Sequence, residues 1–335
     1  MASRLLSASA PRPGSRRCGI PAAALCLVYQ ADAGPQRAGL RRMALTALLM
    51  AAAALMVLAL SRAPLAANLA RYAWWRTFAD TPMSEGYVQS GDARIYYQLF
   101  GSGPPLVLLH GGLGSGLDWF SVLPQLSAQF RTLVIDLRGH GRSQMGTPVL
   151  TYRLMASDVH QVLQHLDVER CDFVGWSDGG NTALQFALAY PQGINRLITI
   201  GANFNPGGLT AAAAAHAVQP APHGGSRLSR WLYGLRADSP AQWHRLAARV
   251  KAMWRDYPRL EAVDLTAIRA PTLVIVGAQD YIEISHAQQM ADAIPDAELL
   301  VLPNTGHAIP IHASAVMLQN ILRFLGPASR AQTPW

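Results

Sequence analysis

The chain has 335 residues, half of them hydrophobic and only 14% charged, which suits one large α/β domain with additions and a sizeable core. The net charge is +8, yet no zinc-finger spacing, RNA-binding aromatic motif or basic helix with heptads accompanies the excess, so the common nucleic-acid readers are excluded. There are three cysteines, Cys18, Cys26 and Cys171; only Cys171 falls in the foldable part, which excludes a disulfide framework, and no Cys/His cluster has metal-ligand spacing.

Residues 1–42 carry Arg4, Arg12, Arg16, Arg17, Arg37, Arg41 and Arg42 against Asp32 alone and show no sustained period. They read as a disordered basic leader, or as an upstream extension from a misplaced start with Met43 as the true one. Residues 43–60, MALTALLMAAAALMVLAL, contain Thr46 as their one polar side chain. A run of that length stands at the threshold for a membrane-spanning helix. Three readings are open: a signal anchor, the core of a cleaved signal peptide, or a buried helix. Arg41 and Arg42 on its amino side predict a cytoplasmic amino terminus. The first two readings imply membrane association and a membrane-anchored or exported location for the rest of the chain. Residues 61–85 read as a linker, with Tyr72, Trp74, Trp75, Arg71 and Arg76 suited either to a membrane interface or to a helix packed on the domain.

From Tyr87 the pattern turns to strands. Tyr87–Gln89 and Arg94–Phe100 form a predicted hairpin around Gly91-Asp92. Short apolar runs follow at Leu106–His110, Thr132–Asp136, Asp172–Gly175, Leu197–Gly201, Thr272–Gly277 and Glu298–Leu302, each reading as a strand buried on both faces. Helical stretches are expected at 117–128, 153–167, 181–190, 285–294 and 314–325. Alternating β and α predicts a mainly parallel sheet covered on both sides, an α/β fold over residues 86–326. The alternation breaks at 201–270, which reads as a lid inserted over the strand ends, where ligands of open α/β sheets bind. Residues 327–335 are a tail.

Gly175-Trp176-Ser177-Asp178-Gly179 lies between a predicted strand and a predicted helix. That order forces the serine onto a sharp turn with its hydroxyl exposed above the sheet, so Ser177 is the candidate nucleophile. A serine needs a base, an orienting acid and an oxyanion site. Of ten histidines, His307 stands just past the last strand, in Asn304-Thr305-Gly306-His307. The nearest rival, His312, lacks that setting. His160, His165 and His286 are expected on helix surfaces, His216, His223 and His244 in the lid, and His110 and His140 as braces of Gly-rich turns. Asp280, directly after the strand 272–277, is the candidate acid; its other reading is a helix cap, with Glu283 a weaker substitute. His110-Gly111-Gly112-Leu113 closes a strand and opens a glycine-rich loop whose backbone N–H groups suit an oxyanion. Gly112 is the favoured donor, Leu113 the alternative, and the N–H of Asp178 the second. Trp176 and Asp178, on either side of the nucleophile, are candidates for substrate contact.

Four signals in the order oxyanion loop, Ser, Asp, His resemble the α/β-hydrolase family over residues 86–326. Asp136-Leu137-Arg138-Gly139-His140-Gly141-Arg142-Ser143 resembles the family's loop after the fourth strand, in which Asp136 and Arg138 are structural. The resemblance implies an eight-stranded sheet and a Ser177–Asp280–His307 triad cleaving carboxylic esters or related acyl compounds through an acyl-enzyme, with no cofactor. The partner so implied is a small-molecule acyl or ester substrate, not a nucleic acid. C–C bond hydrolases, perhydrolases and acyltransferases share the triad, and hydrolase-like binding proteins share the fold. Haloalkane dehalogenases place aspartate where this chain has Ser177. Gly-Trp-Ser-Asp-Gly-Gly further resembles enzymes similar to valacyclovir hydrolase, which implies a cationic substrate group at Asp178. Against that stands the lid, where Arg227, Arg230, Arg236, Arg245, Arg249, Lys251, Arg255 and Arg259 face only Asp238 and Asp256. That excess favours an anionic substrate or lipid headgroups, or is a solvated helix face, and the sign of the substrate's charge stays open.

Overall fold

The computed structural model describes residues 64–78, 83–218 and 227–326. The expectations for 1–42, 43–60 and 327–335 lie outside the described residues. Among the described residues no helix is long and apolar enough to cross a membrane.

Eight strands form one sheet in the order β1-β2-β4-β3-β5-β6-β7-β8. They are β1 (Met83–Ser90), β2 (Ala93–Phe100), β3 (Pro105–Leu109), β4 (Arg131–Ile135), β5 (Cys171–Trp176), β6 (Ile194–Ile200), β7 (Thr272–Gln279) and β8 (Ala297–Gly306). The β1–β2 and β2–β4 pairs are antiparallel, and every pair from β4 onward to β8 is parallel. The helices are α1 (Pro64–Phe78), α2 (Leu123–Ser127), α3 (Tyr152–His165), α4 (Asp178–Ala189), α5 (Ala211–Val218), α6 (Arg227–Arg236), α7 (Trp243–Asp256), α8 (Ala262–Leu265), α9 (Ile284–Ala293), α10 (Ile309–His312) and α11 (Ser314–Leu325).

The central strands read as unbroken apolar runs because both of their faces are covered. Val107 and Leu109 of β3 face one core with Phe173, Val159, Leu184 and Phe186. Leu106 and Leu108 face the other with Trp119, Phe130, Met317 and Ile321. This two-residue alternation divides one hydrophobic run between two layers of helix. Helix starts follow local chemistry: Thr151 accepts from Leu154 N at 3.1 Å to cap α3. The hand-over between β3, which leads outward to β4, and β5, which starts the opposite run, leaves a crevice at their carboxyl ends.

Two expectations need correction, those for 117–128 and for His286, and within 61–85 the helix packed on the domain is the alternative that the structure shows. The stretch 117–128 is not one helix but a 3-10 turn, Gly116–Trp119, followed by α2. The Ser115 hydroxyl caps the first piece, and Pro124, which lacks an N–H, sits in the first turn of the second. Within 61–85, residues 64–78 form a helix whose Tyr72 and Trp75 pack on the domain core, with Trp75 5.6 Å from Phe100 ring to ring, while Trp74 stays exposed. His286 is buried rather than on the surface. It stacks on Phe204 at 3.9 Å and accepts from Phe204 N, and a side chain at Gly208 would overlap it. Burial holds His286 at about 4, so it is neutral.

Candidate active site

The nucleophile turn is built by close backbone approach. A Cβ on Gly175 would overlap the Gly179 carbonyl, and one on Gly179 would overlap that of Leu109. Only glycine lets the chain leave β5, reverse and enter α4 against β3. Ser177 itself sits at φ 53°, ψ −118°, a conformation that costs a non-glycine residue roughly 1–3 kcal/mol. The surroundings hold it there: Ser177 N donates to Ile200 O at 2.8 Å, and Asn181 N donates to Ser177 O at 2.9 Å.

His307 follows β8 and brings Nε2 to 2.9 Å from Ser177 Oγ. Its Nδ1 is 2.6 Å from Asp280 Oδ1. A carboxylate only accepts, so the ring proton belongs on Nδ1, and Nε2 is left to accept from the serine hydroxyl. The Asp280 side chain is fully buried and its oxygens also accept from Gly277 N at 3.3 Å and Ile282 N at 3.2 Å. Asp280 is therefore not the cap of the next helix: it faces the imidazole, and Glu283 is the N-cap residue of α9. His312 is exposed on α10. Ser177, Asp280 and His307 thus meet as the sequence predicts.

The loop after β3 places Gly111 and Gly112 on the same crevice, with Leu113 at φ 60°. The Asp178 N–H opens α4, whose first N–H groups have no intrahelical acceptor. The loop is braced from below. His110 Nε2 accepts from Leu137 N at 2.9 Å, and Asp136 accepts from Gly116 N at 2.7 Å and Arg142 N at 2.9 Å. Burial lowers His110 to about 4 and His140 to about 3, so both braces are neutral. Arg138 is buried and pairs with Asp158 at 2.6 Å. These four residues have the structural work that the sequence assigns them.

A cavity of about 410 Å³ opens above Ser177. Its walls include Leu209, Ala212, Ala213 and Ala217 before and on α5, Trp254 and Tyr257 at the end of α7, and Tyr281 and Ile282 after β7. Trp176 lines it too, its ring over Gly111 and its Nε1 donating to His307 O at 2.9 Å. Tyr281 stacks on the His307 ring at 5.0 Å. No Arg or Lys is among the described residues that line the cavity. Three of the lid cations have partners away from the cavity: Arg249 bonds the carbonyls of Gly146, Thr147 and Pro148, Arg255 pairs with Asp256, and Arg245 bonds Gln242. Of the alternatives for the lid's basic excess, a cationic lining of the cavity has no support among the described residues.

Asp178 also borders the cavity, but its carboxylate is already engaged. Tyr152 donates to Oδ1 at 2.8 Å, and Trp254 Nε1 donates to Oδ1 and Oδ2 at 2.9 Å each. Burial pushes this carboxyl up to about 6, against the pull of those donors and of His307. Neither partner is visible from the nucleophile motif. Trp254 stands out only as one of three tryptophans in the lid, and Tyr152 only as the first residue of a helix.

The match to known proteins follows these features. The model of the α/β hydrolase fold matches residues 104–254. A putative carbamate hydrolase RutD from Stutzerimonas stutzeri is 30% identical over 264 residues, covering 69% of this chain and 96% of that protein. The chain belongs to the α/β-hydrolase fold family and is an enzyme of the hydrolase class. A hydrolase from Pseudomonas aeruginosa PA01 superposes with a TM-score of 0.60 at 27% identity, covering 72% of this chain and 98% of its own. Est816, described as an N-acyl homoserine lactone degrading enzyme, superposes with a TM-score of 0.57 at 27% identity, covering 71% of this chain and 100% of its own.

Proposed function

We propose that this hydrolase cleaves uncharged carboxylic esters, with Ser177 as nucleophile, His307 as general base and acid, and Asp280 as the orienting acid. The observation that carries the reading is the hydroxyl–imidazole–carboxylate relay, 2.9 and 2.6 Å, at the floor of a largely apolar cavity of about 410 Å³. Ser177 Oγ attacks the ester carbonyl as Nε2 of His307 takes its proton. The buried Asp280 holds Nδ1–H and stabilises the imidazolium that forms. The N–H groups of Gly112 and Asp178 receive the negative charge that develops on the carbonyl oxygen, a role in which one donor is worth about 3 kcal/mol. Collapse expels the alcohol with a proton from His307, and water activated by the same imidazole releases the acid from the acyl-enzyme.

The lining argues for the ester class. Aliphatic and aromatic walls give an acyl chain a place to be buried, and among the described lining residues no Arg or Lys is present to attract a carboxylate or phosphate. Kinship with a carbamate hydrolase and an acyl-lactone enzyme supports attack on an acyl carbonyl, which esters share with both. The test is hydrolysis of p-nitrophenyl acetate with Ser177→Ala as control. Turnover should fall by roughly 10³-fold or more with the fold intact by circular dichroism. Ser177→Ala should also abolish labelling by a fluorophosphonate; full activity in that variant would remove Ser177 from the mechanism.

A further inference from the structure

The Asp178 side chain is unassigned by the chemistry above, which uses only its backbone N–H. Its carboxylate is 2% exposed as part of its residue and lies where three pieces of the molecule converge. From α3 comes the Tyr152 hydroxyl, 2.8 Å away. From α7 comes the Trp254 indole N–H, bridging both oxygens at 2.9 Å. From the oxyanion loop comes Gly112, where a Cβ would collide with Asp178 Oδ2 and lie 2.8 Å from Trp254 Cζ2. The acid, the lid indole and the oxyanion glycine therefore pack as one layer.

The rest of α7 is held by apolar contact. Trp243, Leu246, Ala247, Val250 and Met253 are buried along its inner face. Trp254 lies one residue past that stripe, at the turn that roofs the cavity, and its polar atom reaches the body of the enzyme through Asp178. A hydrogen bond to an ionised acceptor inside a protein is about twice as strong as a neutral one. Three of the four lone-pair positions of a carboxylate are occupied here, which leaves little for an ammonium group in the pocket.

We infer that the Asp178 carboxylate is a positioning residue that anchors the lid: by accepting from Trp254 it seats the last turn of α7 over Ser177 and sets the shape of the acyl pocket. It is not the recognition site for a cationic substrate group. The inference rests on the reading of Ser177 as nucleophile.

The seat depends on charge. The titratable groups facing Asp178 are Tyr152 from α3 and His307 from the turn after β8; α7 faces it with Trp254 and the oxyanion loop with Gly112. Protonation turns one acceptor oxygen into a donor and removes half of the bridge to the indole. Because burial holds this carboxyl at about 6, the seat loosens as pH falls through that value.

The experiment compares p-nitrophenyl hexanoate with p-nitrophenyl acetate in the full chain, as the ratio of their kcat/KM values. The ratio cancels pH effects on the chemical step that both esters share. At pH 8, Trp254→Phe, which keeps an aromatic ring but loses the N–H, should lower the hexanoate-to-acetate ratio about tenfold. The wild-type ratio should fall below about pH 6, and the ratio in Trp254→Phe should be flat with pH. An unchanged ratio in Trp254→Phe at pH 8 overturns the inference, as does a wild-type ratio that is flat between pH 5 and 8. A third arm uses a p-nitrophenyl aminoacyl ester and its uncharged isostere: preference for the cationic ester that is lost in Asp178→Asn would make Asp178 a recognition site and overturn the inference as well. If Trp254→Phe fails to fold by circular dichroism, the wild-type pH series still decides. Absence of fluorophosphonate labelling in the wild type would instead strike the nucleophile reading, so the two failures are distinguishable.

Discussion

At the carboxyl ends of β3, β5 and β7 the backbone is braced by dedicated polar groups. His110 takes the N–H of Leu137, Asp136 takes those of Gly116 and Arg142, Ile200 takes that of Ser177, and Asp280 takes those of Gly277 and Ile282. The lid between β6 and β7 is attached differently. It rests on a stripe of apolar residues along α7 and on a few long polar reaches: Arg249 to the carbonyls of residues 146–148, Tyr233 to Gly139 O, and Trp254 to Asp178. Hydrogen-bonded turns have one geometry, whereas an apolar stripe tolerates small shifts and exchange of side chains. The rim is thus fitted to hold reacting atoms, and the lid to hold the part of a substrate that varies. Substitutions in the two regions should separate accordingly in kcat and in KM.

The largest effect belongs to the rim. Asp280→Asn keeps the shape of the site but offers Nδ1 an amide in place of a carboxylate. The imidazole then loses its fixed tautomer and the partner for its cation. We expect kcat for p-nitrophenyl acetate to fall about 10³- to 10⁴-fold. A loss below tenfold would mean that Asp280 is not the orienting acid, despite its 2.6 Å contact with His307.

A lid substitution should act on substrate selection. Ala213 on α5 lines the cavity. Ala213→Leu fills part of the space for an acyl chain. It should lower kcat/KM for p-nitrophenyl hexanoate about tenfold more than for the acetate, the size expected for a pocket changed by a few methylenes. An equal loss for both esters would show that the lid shapes the reacting centre itself, and the contrast between rim and lid would fail.

The same contrast governs what could be read before the structure. The rim was legible because its residues lie within a few positions of short apolar runs that read as strands, although β8, at the sheet edge, is only partly buried. Ser177 follows β5, Asp280 follows β7 and His307 follows β8. Strand register carries such residues to one edge whatever the details of packing. The partners of Asp178 were not legible, since Tyr152 is 26 residues upstream and Trp254 is 76 residues downstream. Nothing in a helical period says which face of α7 meets the sheet rim. His286 was misplaced for a related reason, because its burial depends on Phe204 and Gly208 in a distant loop. The single helix expected over 117–128 is broken where Pro124, lacking an N–H, sits in the first turn of a new one.

The smallest expected effect on activity, with a clear one on stability, lies beneath the rim at Asp118. This residue sits in the 3-10 turn behind the oxyanion loop, and its Oδ2 is buried without a hydrogen-bond partner. Burial raises the carboxyl to about 7; backbone N–H groups of the loop and Arg236 of the lid helix α6 oppose the shift, and Asp136 adds to it. The folded protein therefore binds this proton more tightly than the unfolded chain does. Between the ordinary value of 3.8 and about 7, the folded state carries the proton and the unfolded state has lost it, so stability falls as pH rises through that window. At about 1.4 kcal/mol per pH unit, the loss amounts to at most about 4 kcal/mol. Asp118→Asn carries no titrating proton there. Urea unfolding at pH 4 and pH 8 should show the wild type losing several kcal/mol relative to the variant over that interval. Acetate turnover at pH 8 should change less than in Asp280→Asn, because Asp118 touches no reacting atom. Parallel pH–stability curves for the two proteins would mean that Asp118 is ionised in the fold without cost, and that the rim is wetter beneath the oxyanion loop than its packing implies.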